Sequence, residues 1–144
     1  MNAHLRRCPL KYIGFDGKGK QVRDVLNPRD LAALIRKQLR DGRKGGRRIY
    51  TAGGGPGNAM SLCQLNSWCN DRFGEHQPTS DFRPRTYDIP WIIMDNSALQ
   101  RDFVWLPATG LFETLSQIAE HVTHNPDWLK LSGLAPPYDR RPNH

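Results

Sequence analysis

Long apolar runs are absent from this sequence of 144 residues. No run approaches the about 20 apolar residues that a membrane-spanning helix needs. The first ten residues contain arginines, but the apolar core of a signal peptide does not follow them. We therefore expect no membrane segment and place the protein in the cytoplasm.

Paired cysteines are lacking as well. The three cysteines, Cys8, Cys63 and Cys69, show no Cys-x-x-Cys spacing, so neither a disulfide framework nor a zinc site is indicated. His121 and His124 lie one predicted helical turn apart, a spacing that could hold a metal ion together with Asp127. Because two histidines at a helix end are usually polar surface, we expect no metal.

Acidic residues are outnumbered by basic ones, 14 against 21, which gives a net charge of +7. Such an excess favours an anionic partner: a pyrophosphate, a nucleic acid or an acidic protein surface. Seven basic residues gather at the end of one predicted helix and in the loop after it: Arg36, Lys37, Arg40, Arg43, Lys44, Arg47 and Arg48. They indicate either a solvated loop or a small basic nucleic-acid-binding or protein-interaction module, for which no recognised motif is present.

The first part of the chain predicts a β-hairpin and then a helix. Tyr12 to Phe15 and Gln21 to Leu26 flank a glycine-containing turn, as the strands of a hairpin do. Gly14 to Gln21 nearly matches a phosphate-binding loop, but it lacks the final hydroxyl and is followed by a β-prone segment, so we interpret it as a turn. Asn27 and Pro28 then cap and start a helix that we expect to end near Arg40.

The second part predicts strands that alternate with helices. Arg48 to Ala52 and Trp91 to Met94 are predicted strands, the second of them buried. Ser61 and Gln64 form a capping-box pattern ahead of a helix, and Asp95 can cap a short helix through Phe103. An apolar stripe then marks a last helix, which Asn125-Pro126 ends: Leu111, Phe112, Leu115, Ile118, Ala119 and Val122. Loops are expected over His76 to Thr86 and at the C-terminus. We divide the chain into one incomplete domain, residues 1–134, and a disordered tail, residues 135–144.

A glycine turn, Gly53 to Asn58, stands between a predicted strand and a predicted helix. The context suits a dinucleotide fingerprint, but Asn58 occupies the place of its third glycine. We interpret the turn as scaffold on the substrate side of a site, or as a purely structural turn.

Four segments together resemble one enzyme family: Lys11 to Leu31, Ile49 to Gly55, Tyr87 to Trp91 and Asp95 to Pro107. They look like the C-terminal half of extended short-chain dehydrogenases/reductases, most closely the CDP-paratose (CDP-tyvelose) 2-epimerase-like nucleotide-sugar epimerases, over roughly Pro9 to Gly133. The resemblance implies an α/β fold, namely the substrate-binding C-terminal portion of such an enzyme without its N-terminal Rossmann nucleotide-binding half.

The resemblance also implies the binding residues. The family's Val-Arg-Asp motif matches Val22-Arg23-Asp24, and its arginine typically contacts the nucleotide diphosphate, a role that suits a guanidinium. A second family arginine, in an Arg-x-x-Asp segment, matches Arg85 with Asp88, while Arg83 with the proline after it is the competing match. Arg23 could instead be a strand arginine paired with Asp24 or Asp30.

No catalytic residue can be carried over. The family uses a Tyr-x-x-x-Lys pair, and none of the four tyrosines of this chain has a lysine four residues later. The implied function is therefore a nucleotide-sugar-binding portion, most specifically for a CDP-sugar, that is inactive alone and binds no cofactor alone; NAD belongs to the complete enzyme. A separate chain supplying the Rossmann half, self-association, and a decayed remnant all stay open. Val104 stands where the family usually has a glycine that closes a helix with positive φ. This replacement suggests that the sequence has drifted from the functional family.

Overall fold

The computed structural model describes residues 1–42, 49–83, 87 and 89–127. The described helices are α1 (Asn2–Arg6), α2 (Pro28–Asp41), α3 (Leu62–Phe73), α4 (Ser97–Phe103) and α5 (Leu111–His124). The described strands are β1 (Lys11–Ile13), β2 (Val22–Asp24), β3 (Ala59–Ser61), β4 (Thr79–Asp81) and β5 (Trp91–Ile92). Short 3₁₀ turns cover Phe15–Gly17 and Pro56–Asn58. Within these ranges, no helix is long and apolar enough to cross a membrane.

The strands form two small sheets. In the larger one β2 is central, antiparallel to β3 on one side and parallel to β5 on the other. In the smaller one β1 pairs with β4 in parallel. Parallel pairs need crossover connections, and here helices and long loops supply them. The molecule is an α/β protein, as the sequence predicts.

The predicted hairpin between β1 and β2 is wrong. Both edges of β2 are occupied by β3 and β5, and the backbone of β1 pairs with β4. The connection between them contains a run of positive φ angles from Gly14 to Gly17, which leads the chain from one sheet to the other. Gln21 links the two strands through its side chain, donating from Nε2 to the carbonyl oxygen of Ile13 at 2.8 Å.

Local helix signals are confirmed. The side chain of Asn27 accepts from the backbone N–H of Arg29 at 2.9 Å, as an N-cap should. Ser61 and Gln64 form the predicted capping box at the start of α3. Asp95 accepts the backbone N–H of Ser97 at 2.9 Å, although Asn96 occupies the cap position of α4. Asn125 follows the last residue of α5, where the proline pattern predicts an end.

The core consists of two buried clusters. Leu34 of α2 packs with Leu99, Phe103 and Trp105 from α4 and the residues after it. Met60 of β3 packs with Leu111 and Leu115 of α5, and the partly buried Val25, Leu65 and Trp68 surround them. The predicted stripe of α5 is therefore inward-facing at most positions, while Phe112 and Ile118 are exposed. The cores tie α2 to α4 and the larger sheet to α3 and α5.

Three predictions about strands and loops fail. Residues 49–52 form no strand; instead the hydroxyl of Tyr50 donates to Asp102 at 2.9 Å and its ring packs on Phe103. Trp91 is 65% exposed, so β5 is an edge strand rather than a buried one. Within the predicted loop from His76 onward, residues 79–81 form β4.

Some predictions fall on residues outside the described ranges. These are the basic residues at 43–48, the candidate site residues Arg85 and Asp88, and the predicted tail at 135–144.

Candidate functional site

A pocket of about 670 Å³ lies where two parallel strands end. The chain continues from β5 into the segment 93–97, which forms one wall. The glycine turn at residues 53–58, called the glycine loop below, forms another wall with its residues 54–58. A third wall comes from residues 106–110, between α4 and α5. Ligands of open α/β sheets commonly bind at the carboxyl ends of parallel strands, and β2 and β5 both end here.

Asp24, the last residue of β2, holds two of these walls together. Its Oδ2 accepts the backbone N–H of Gly55 at 2.8 Å and that of Met94 at 3.2 Å. The sequence shows Asp24 as the last residue of the Val-Arg-Asp motif and as a possible ion-pair partner of Arg23, and it does not predict this role. The available signal was its position: adjacent residues of a strand point to opposite faces, so Arg23 and Asp24 serve different surroundings.

Asn96 fixes the glycine loop from the other side. It is buried and makes both hydrogen bonds that a backbone partner would make: its Oδ1 accepts from the Gly53 N–H at 3.0 Å, and its Nδ2 donates to the Gly53 carbonyl at 2.9 Å. Gly53 and Gly54 are required by space. A Cβ at Gly53 would collide with Met94, and one at Gly54 would collide with the carbonyl oxygen of Val25.

The third wall is held by Asp30 and Asn58, both buried. Asp30 Oδ2 accepts the backbone N–H groups of Ala108 at 3.2 Å and Thr109 at 2.9 Å, and its Oδ1 accepts the Thr109 hydroxyl at 3.2 Å. Asn58 donates from Nδ2 to the Thr109 carbonyl at 3.0 Å. Since buried polar side chains anchor all three loops, the shape of the pocket is set in advance of any ligand.

The open side of the pocket carries Asp95 and Gln100. The Ser97 backbone N–H and hydroxyl both donate to Asp95, and these bonds hold the pKa of its carboxyl below the ordinary value. Asp95 is therefore an anion at neutral pH. Its charge disfavours a phosphate at this particular edge of the pocket.

Arg23, the principal predicted site residue, lies half-buried in the middle of β2. Its register partners are Met60 and Ile92, and its Nη1 donates to the carbonyl oxygen of Val22 at 2.7 Å. Asp24 and Asp30, its predicted alternative partners, accept backbone N–H groups. Arg23 thus lies beside the pocket, on the strand that leads into it, rather than among the lining residues.

Arg83 is engaged by Asp81, the last residue of β4. Its Nε donates to Oδ1 at 2.9 Å and its Nη2 to Oδ2 at 2.6 Å, a two-pronged pair. These hydrogen bonds lower the pKa of Asp81 to about 2. Arg23 and Arg83 belong to segments of different sheets. In the described part of the chain, no group of three metal-ligating side chains comes together.

Comparisons with known proteins agree with this architecture. No protein-family model matches the chain. It is 27% identical to a dTDP-glucose 4,6-dehydratase of Xanthomonas campestris pv. campestris over 129 residues, which cover 79% of this chain and 34% of that protein. The chain therefore spans about a third of the length of the curated relative that it matches.

Two solved structures show the same fold. A UDP-glucose 4-epimerase of Thermotoga maritima, determined with UDP-glucose, superposes with a TM-score of 0.67 at 23% identity, over 87% of this chain and 38% of that one. A dTDP-glucose 4,6-dehydratase of Bacillus anthracis, in complex with NAD, gives 0.64 at 22% identity, over 80% and 35%. The fold is thus that of part of the short-chain dehydrogenase-type sugar-nucleotide epimerases and dehydratases, which confirms the predicted fold class. The finer likeness to CDP-paratose 2-epimerases stays a prediction.

Proposed function

We propose that this chain is the nucleotide-sugar-binding portion of an NAD-dependent sugar-nucleotide epimerase, and that its ligand is a CDP-sugar. The observation that carries the proposal is the position of Arg23 on a strand that runs into a rigid glycine-loop pocket, within a fold shared with sugar-nucleotide enzymes. The relative from Thermotoga maritima was determined with UDP-glucose. A diphosphate also suits the net charge of +7.

Arg23 is the proposed diphosphate ligand. Its Nη1 is bonded to a neutral backbone carbonyl, and a phosphate oxygen would be a stronger, charged acceptor for a guanidinium. Half-burial limits the screening of that interaction by water. A phosphate would therefore be a stronger acceptor for Nη1 than the Val22 carbonyl is.

The second proposed contact is Arg85, with Asp88 as the other member of its motif. The Asp81–Arg83 pair supports this choice, because an arginine already held by a carboxylate must lose that partner before it can bind phosphate. Arg83 stays the alternative, since an exposed ion pair contributes little and can be exchanged.

Catalysis and cofactor binding belong, in this proposal, to the complete enzyme. The sequence has no Tyr-x-x-x-Lys pair, so no residue of this chain is assigned to proton or hydride transfer. We expect NAD and the catalytic residues to come with a Rossmann half, on a separate chain in the simplest arrangement.

Isothermal titration of the 144-residue chain with CDP-glucose and with UDP-glucose tests the binding proposal. Arg23→Ala should weaken binding by about 2 kcal/mol, roughly thirtyfold, the size of a lost charge-assisted bond. Arg36→Ala is the matched control, because Arg36 is an exposed cation on α2 away from the pocket, and it should leave affinity unchanged.

Two outcomes would overturn the proposal. One is that neither nucleotide-sugar binds, or that both variants weaken binding equally. The other is binding of DNA or RNA with a steep salt dependence that is lost on changing Arg43 and Lys44 but not Arg23, which would favour the basic nucleic-acid-binding module.

A further inference from the structure

His4 is a buried histidine at a junction of three segments. It lies in α1, is only 2% exposed, and contacts Asn70 near the end of α3 through Nε2 and Oδ1 at 2.9 Å. The same Oδ1 accepts the backbone N–H of His76 at 3.0 Å, which identifies it as the amide oxygen. His4 Nε2 must therefore carry the proton. The other ring nitrogen, Nδ1, is buried without a hydrogen-bond partner.

Two basic side chains lie near His4. One is Arg7, which directly follows α1, and the other is His76 in the loop after α3, whose ring centroid lies 5.2 Å from that of His4. Arg7 donates to the carbonyl oxygens of Glu75 at 2.7 Å and Phe73 at 3.3 Å, and so stays close. Protonation of His4 would place a further positive charge among them, with its new N–H facing no acceptor.

We infer that the contact between His4 and Asn70 is acid-sensitive. It holds α1 on α3 while the imidazole is neutral, and α1 is released when the imidazole is protonated. The geometry gives this direction, because the neutral ring leaves one buried acceptor unpaired, whereas the protonated ring would add a buried charge and an N–H group that faces no acceptor.

The electrostatics agree with the geometry. Burial lowers the pKa of His4 below its ordinary value; the hydrogen bond that Nε2 donates to Asn70 opposes this shift, and the guanidinium of Arg7 adds to it. A histidine whose pKa is lowered by folding binds fewer protons in the folded state. Its contribution to docking is therefore complete above about pH 6.5 and is lost as the pH falls through the lower folded pKa.

Release would reach beyond α1. The loop at 74–78 is tied to α1 by the His76 Nε2 contact with the Cys8 carbonyl at 2.7 Å, and it leads directly into β4. β4 ends at Asp81, the partner of Arg83. Acid would thus loosen the segment that ends at the Asp81–Arg83 pair.

Amide hydrogen exchange and histidine-ring NMR on the full chain between pH 7.5 and 5.0 test the inference. After correction for intrinsic exchange, amides of α1 should lose protection about tenfold at the acidic end, while those of α5 keep theirs. Asn70→Asp places an anion against Nε2 and so stabilises the imidazolium, which should raise the pKa of His4 and lessen the release of α1 by acid. His4→Phe keeps an apolar ring and should abolish the pH dependence, whereas His121→Gln on α5 should leave it intact.

The inference is wrong if His4 titrates near 6.5 with no change in α1 protection. It is also wrong if α1 and α5 lose protection together, or if Asn70→Asp retains the wild-type pH dependence. Nucleotide-sugar affinity plays no part in these measurements, so they succeed or fail independently of the proposed function.

Discussion

At the scale of single residues, Val104 carries the clearest backbone strain. It closes α4 in the left-handed region, with φ 51° and ψ 47°, and its N–H donates to the Gln100 carbonyl at 2.9 Å. The sequence predicts a positive φ here from the glycine usual in the resembled family, and the structure confirms it. A β-branched side chain disfavours this conformation, and Val104 is 76% exposed, so little packing compensates for the strain.

We predict that Val104→Gly stabilises the chain. Relief of the left-handed strain should exceed the extra chain entropy of glycine by about 1 kcal/mol, which raises the melting temperature by about 3 °C. Thermal unfolding followed by circular dichroism measures the shift. Val104→Ala is the control and should recover much less, because alanine retains a Cβ. Equal melting temperatures for wild type and Val104→Gly would show that the strain is not significant.

At the scale of elements, the glycine loop, residues 53–58, is constrained by close packing. Its neighbouring glycines have different physical reasons for lacking a side chain. Gly54 lies against the carbonyl oxygen of Val25, whereas Gly57 has no atom near the position of a Cβ. Their roles cannot be separated from the sequence, because the close approach of β2 is a tertiary contact.

The two glycines therefore provide a matched pair. Gly54→Ala should destabilise the chain by about 2 kcal/mol or more, since the methyl group forces the loop away from β2. Gly57→Ala should be neutral or stabilise by about 0.5 kcal/mol, because only the unfolded chain loses freedom. Urea unfolding of both variants gives the two free energies. A similar loss for both would contradict the packing described for this loop.

Element prediction succeeded where the signal is local and failed where it is not. The caps Asn27 and Ser61 act on N–H groups two or three residues away, so the starts of α2 and α3 follow from the sequence. β1 and β2 looked like a hairpin, but the pairing partner of β1 is β4, more than sixty residues further along. Strand pairing depends on which strand edges are already occupied. A short stretch of sequence does not contain that information.

At the scale of the whole molecule, several large apolar side chains remain exposed. Trp91 on the edge strand β5 is 65% exposed and Ile49 is 86% exposed. A concavity of about 580 Å³ runs over the face of β2 and β5 that carries Val22 and Trp91. Exposed apolar side chains on a strand that lies at the edge of the described sheet favour association with another polypeptide.

We accordingly predict self-association of the isolated chain. Sedimentation velocity should show oligomers that grow with concentration, and Trp91→Lys should reduce them by placing a charge on the strand edge. Phe112→Lys, on the exposed side of α5, is the control and should have little effect. A compact monomer at every concentration, with no binding of a hydrophobic dye, would instead indicate an independent module.

We also predict that the chain alone does not bind NAD. The backbone N–H groups of Gly53 and Gly55, which a pyrophosphate would need, already donate to Asn96 and Asp24. The loop also lacks the third glycine of the fingerprint. Calorimetric titration with NAD should show no saturable heat. Micromolar binding by this chain would require a different role for the glycine loop.

The sequence by itself determined the starts of α2 and α3, because capping acts between neighbouring residues, and its resemblance to a family implied the fold class. The role of Arg23, which a motif indicates, stays a prediction. Only the tertiary structure decided that Asp24, Asp30, Asn58 and Asn96 hold the loops of the pocket. Polar side chains look alike in a sequence whether they face water or a buried N–H group. The role of His4 was not predictable for the same reason. Its side chain meets Asn70, and its Nδ1 becomes buried without a partner, only when α1 packs against α3.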